Sequence, residues 1–114
     1  MNKSNNIMAN QDVNIEEYFA DKKYMALLPL LEKPLSEIRQ SYQNLDNEKL
    51  IELVNFALDW ETKDYWQSLS VEWLESGLPI KENIKEKLEK IPSDKKYSQR
   101  LRHKVQKLLK QNKS

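Results

Sequence analysis

The chain has 114 residues, one glycine, one histidine and no cysteine, and its 19 Lys/Arg nearly balance its 18 Asp/Glu. That composition excludes disulfides, thiolate metal sites, cysteine–histidine catalysis and glycine-cradled phosphate loops. Scarce glycine also disfavours the tight hairpins of an all-β fold. The total of +1 conceals a division: residues 1–80 carry 7 Lys/Arg against 14 Asp/Glu, net −7, while residues 81–114 carry 12 against 4, net +8. Such asymmetry predicts charged surfaces offered to partners.

Residues 1–13 read as a disordered polar arm, residues 14–111 as one helical domain, and residues 112–114 as a frayed tail. The start lacks the apolar run of a signal peptide, and no stretch approaches the about 18 apolar residues of a membrane span. A cytoplasmic location without membrane contact is therefore expected. Asn14 and Glu17 form a capping box that opens a helical region over 15–32. Pro29 interrupts it, predicting a kink or two short helices, with Asp21 as a second cap. Pro34 suits the first turn of a helix over 35–44, with Leu35, Ile38 and Tyr42 at helical spacing.

Asp46 caps a third helix over 47–58, whose stripe is Leu50, Leu53, Val54 and Ala57. A turn over 59–63 leads to a fourth helix over 64–76, which stops at Gly77 with Pro79 following. Its apolar side is Tyr65, Trp66, Leu69, Trp73 and Leu74, with small Ser70 between them. Trp66 and Trp73 lie seven residues apart, on one helical face, and both are expected in the core. A narrower seam of Ile80, Ile84, Leu88 and Ile91 predicts a fifth helix over 80–91. The sixth, over 95–111, carries Tyr97, Leu101, Val105, Leu108 and Leu109. The expected fold is all-α: about six helices stacked as antiparallel pairs, a HEAT-like helical repeat or a bundle. Its predicted core is Leu28, Leu31, Ile38, Leu50, Leu53, Val54, Ala57, Trp66, Leu69, Trp73, Leu88, Leu101, Val105 and Leu108.

A shift of 32 residues superposes Tyr65 on Tyr97, Gln67 on Gln99, Leu69 on Leu101 and Trp73 on Val105, as a helical solenoid would. Paired helices of this length, with proline near the first of a unit, resemble HEAT and armadillo repeats. The segments Asp64-Tyr65-Trp66, Trp73-Leu74-Glu75-Ser76-Gly77 and Gln99-Arg100-Leu101-Arg102-His103 are similar to a small family of uncharacterised bacterial proteins. That resemblance implies an interaction scaffold, of the toxin-immunity kind, and defines no site residues.

The chemistry points the same way. His103 falls among lysines and arginines, where a surface role is expected, so no enzyme activity and no cofactor is predicted. The acids Asp59, Glu61 and Asp64 lack the mid-loop glycine of an EF-hand, and no metal site is assigned. Trp60 lies in the turn between them. It either folds over the helix ends or serves as an aromatic anchor in an acid-rimmed contact patch. Asp59, Trp60, Glu61 and Asp64 are thus the first protein-binding candidates. The second surface is the basic face Arg100, Arg102, His103, Lys104 and Lys107. It reads as solvated surface, as a protein or self-partner contact, or as a phosphate-binding face. Non-catalytic protein binding is the expected function, with nucleic-acid binding the alternative. The opposite charges also predict weak head-to-tail self-association.

Overall fold

Helix forms wherever apolar residues recur at helical spacing, and no strand occurs among the described residues. The computed structural model describes residues 15–60 and 64–112. α1 covers residues 15–20 and α2 Tyr24–Leu27, which continues into a 3-10 helix over Leu28–Glu32. Next come α3 (Leu35–Ser41), α4 (Asn47–Leu58), α5 (Tyr65–Glu75), α6 (Glu82–Lys90) and α7 (Gln99–Gln111). The expected arm over 1–13, the Asn14 cap, Glu61 and the last two residues lie outside the described residues.

The first helical region breaks twice: at Pro29, as expected, α-helix gives way to 3-10 helix, and a further break falls at Lys22. Lys22 adopts φ 60, and Lys23 N donates to Tyr18 O at 2.8 Å while Lys22 N donates to Phe19 O at 3.1 Å. That bond pair is a Schellman closure with lysine in the left-handed position usually taken by glycine. Asp21 does not cap: α2 starts from Lys23 with no side-chain cap bond. Pro29 sits in the first turn of the 3-10 helix, where a missing N–H costs nothing. Asp46 caps α4 as expected, its carboxylate accepting Lys49 N at 3.1 Å.

α5 closes with the same device as α1, this time around Gly77 at φ 115. Leu78 N donates to Trp73 O at 3.3 Å and Gly77 N to Leu74 O at 3.2 Å. α7 starts four residues later than expected, because Asp94 organises a turn by accepting Lys96 N at 3.1 Å. Ser98 is its true cap, with Oγ accepting Leu101 N at 3.1 Å.

α5 is the central element, packed against α4, the 3-10 helix and α7, while α6 packs against α4 and α7. Twelve of the fourteen expected core residues are buried; Trp66 and Leu69 are only partly so. The face that α5 turns inward comprises Gln67, Ser70, Val71, Trp73 and Leu74. Trp66, near the start of the helix, instead packs edge-on against Tyr65 at 4.7 Å between ring centroids. Trp73 is 2% exposed, and its indole N–H donates to Lys33 O at 2.9 Å, pinning α5 to the junction before α3.

Candidate functional site: the groove and outer face of α7

Long-range ion pairs join the two oppositely charged parts of the chain. Lys81–Glu48 (4.0 Å), Lys87–Asp59 (2.5 Å), Lys104–Glu72 (3.3 Å) and Lys104–Glu75 (3.8 Å) each join a lysine of the basic end to an acid of the first 80 residues. They hold α6 and α7 against α4 and α5. Each such surface pair contributes about 0–1 kcal/mol, so they set register more than stability.

Asp59 and Asp64 of the acidic candidates enter two different contacts. Asp59 pairs with Lys87, whose ammonium also donates to Asn55 O at 3.1 Å. Trp60 is half-buried in a row of rings, 5.4 Å from Phe56, which is 5.4 Å from Tyr24. Its carbonyl accepts the side-chain amide of Gln67, which is fully buried. Asp64 faces the other way and accepts Ser98 N with both carboxylate oxygens, at 3.2 Å each.

α7 carries Arg100, Arg102, His103, Lys104, Lys107 and Lys110 and no acidic residue. Lys104 turns inward to Glu72 and Glu75, leaving its side chain 25% exposed, and Arg102 is half-buried. Arg100, His103, Lys107 and Lys110 are exposed and take part in no ion pair among the described residues. At helical geometry they occupy one stripe, about 80° wide and about 15 Å long.

Beside the stripe, α5 and α7 enclose an open groove of about 600 Å³. Leu69 and Leu101 supply apolar surface; Asp64, Tyr65, Ser68 and Glu72 line it from α5, and Ser98, Arg100 and Lys104 from the α7 side. Asp64 from the acidic candidates therefore shares a wall-to-wall space with Arg100 and Lys104 from the basic ones. Trp60 does not line it. Tyr65 is 53% exposed, and its hydroxyl donates to the Glu32 carboxylate, a bond that raises its pKa. Sequence periodicity assigns Tyr65 to the apolar side of its helix and gives no sign that it borders a groove. Ser68 carries no signal at all.

Among the described residues, no three or more His, Cys, Asp or Glu side chains are placed to hold a metal ion. His103 stands on the outer stripe. No described helix is long and apolar enough to cross a membrane. Compared with known proteins, the chain matches no family model, no curated protein and no solved structure.

Proposed function

We propose that this chain is a non-catalytic protein-binding module that meets its partner along the outer face of α7 and the adjoining groove. One observation carries the reading: the unequal fate of the basic residues. The half-buried Lys87 and Lys104 are engaged by acids of the other half, whereas Arg100, His103, Lys107 and Lys110 are exposed without ion pairs among the described residues. A one-sign stripe of this kind steers and orients an acidic partner surface. Inhibition of a toxin, of the immunity kind, is the finer form of this reading, because covering a partner surface needs no catalytic group. A cytoplasmic setting suits it. Weak head-to-tail contact between copies, through their opposite charges, belongs to the same reading.

Nucleic-acid binding is the second reading, favoured by the same stripe and by the exposed Tyr65 ring near Arg100. Asp64 and Glu72 line the same groove and repel phosphate, and Tyr97 is buried. Protein binding is therefore preferred.

Capture with the tagged full chain tests it, alongside an Arg100→Glu/Lys107→Glu/Lys110→Glu variant of unchanged thermal melt. A defined polypeptide retained by the native chain and lost by the variant is expected. Equal capture by both overturns the reading. For the toxin form, the product of the adjacent gene should arrest growth, and co-expression of this chain should restore it.

A further inference from the structure

We propose that the groove between α5 and α7 takes a short acidic segment of a partner protein, with one apolar side chain seated on Leu69 and Leu101 and a carboxylate on Arg100. The proposal rests on the protein-binding reading and names the chemistry of the occupant.

Charge accounting across the groove carries it. Four ionisable groups besides Tyr65 line the space. Asp64 is engaged by Ser98 N, and Glu72 and Lys104 satisfy each other at 3.3 Å. Of these four, only Arg100 is exposed and without an ion pair or hydrogen bond among the described residues, so it is the cation left for a carboxylate of the occupant, while Asp64 and Glu72 keep their charge. Lys107, two turns along the same edge of α7, extends that positive character beyond the groove.

A guanidinium binds a carboxylate through two parallel N–H···O bonds, so the free group specifies carboxylate chemistry well. The apolar surface asks for a different contact. Leu69 is half-buried, and Leu101, though buried, borders the space. A leucine or phenylalanine side chain placed there removes apolar surface from water on both partners. Tyr65 is held by Glu32 with its ring at the rim, the residue type that dominates interface energetics.

A polypeptide fits this mixture better than a polynucleotide does. A nucleic-acid strand carries a negative charge at every unit and would run past Asp64 and Glu72. A peptide can confine its carboxylate to Arg100 while offering N–H donors to the acidic wall. Helix-in-groove docking of an acidic amphipathic segment uses these elements.

The test titrates the full chain into fluorescein-labelled peptides of about 12 residues and reads anisotropy. One peptide carries Glu and Asp around a Leu and a Phe; a second replaces the acids by Lys; a third replaces Leu and Phe by Ser. Only the first is expected to bind. Ser68→Trp, which fills the groove, and Arg100→Glu, on an exposed side chain, should each weaken it by about tenfold or more. Arg100→Glu keeps the test open if Ser68→Trp does not fold. Binding that survives Ser68→Trp and is lost on Lys107→Glu/Lys110→Glu overturns the groove and leaves the protein-binding reading standing. Equal binding of the lysine peptide, or no peptide binding while a polypeptide is still captured, also overturns the groove alone.

Discussion

Asp64 and Ser98 meet across 34 residues, the carboxylate of the first accepting the backbone N–H of the second with both oxygens at 3.2 Å. Each residue is the N-cap position of its own helix, and only Ser98 caps with its own side chain. A relay results: Asp64 holds Ser98, and Ser98 Oγ holds Leu101 N. The start of α7 is thereby fixed to the start of α5, which places Arg100 at the groove.

Asp64→Ala and Ser98→Ala should each destabilise by about 1 kcal/mol, since water can reach both groups and replace part of the loss. Because the two bonds act in series, the double variant should lose less than the sum. Urea unfolding of the four proteins checks this, and strict additivity would show that the relay is not a unit.

Trp73 ties the helical body together through both its ring and its N–H. Trp73→Ala should cost about 3–5 kcal/mol and Trp73→Phe, which loses mainly the bond to Lys33 O, about 1–2 kcal/mol. Thermal melts followed by circular dichroism should rank them in that order.

Two helix ends share one closure but differ in residue, which gives a matched pair. Gly77→Ala meets no atom within 4 Å, so strain at φ 115 is set only against the lost freedom of the unfolded chain, and a net loss of about 1 kcal/mol is expected. Lys22→Gly relieves a side chain held at φ 60 and should gain about 0.5 kcal/mol after the added freedom of the unfolded chain. Opposite signs in chemical denaturation are the prediction.

Alkaline pH reaches another contact. Burial, and then the Glu52 carboxylate to which its hydroxyl donates at 2.5 Å, push the Tyr24 pKa up to about 12. An unfolded tyrosine ionises near about pH 10. The contribution of this contact is therefore complete below about pH 10 and disappears as the pH climbs to about 12, because only the unfolded chain has released its proton in that window. Tyr65, raised by its bond to Glu32, acts in the same direction. Stability should fall across this range in the native chain and fall less in Tyr24→Phe.

Much of the fold was legible because periodicity, caps and the lone glycine agree. Leu50, Leu53, Val54 and Ala57 could only be a buried stripe, and Gly77 stands where a left-handed residue is wanted. The break at Lys22 was not legible, since lysine gives no local sign of a positive φ. Nor was the inward turn of Gln67, which is fully buried: a glutamine among large apolar residues looks like the wet side of a helix, whereas small Ser70 is expected on the apolar side and is buried there. The shared face with Trp73 placed Trp66 too deep, since the start of α5 is less covered than its middle. For the candidate site, charge composition marked α7 but not which of its cations are engaged, because that depends on acids some 30 residues away in the chain. The groove has no sequence signature, being made by the packing of two helices.

Stability measurements on the native chain, Lys104→Glu and Arg100→Gln/His103→Gln/Lys107→Gln test the division of labour on α7 most directly. Lys104→Glu, which sets a carboxylate against Glu72 and Glu75, should lose about 1–2 kcal/mol. The outer variant should stay within about 0.5 kcal/mol of native. Outer substitutions that destabilise as much as Lys104→Glu would show that the stripe holds the fold together and is not free to receive a partner.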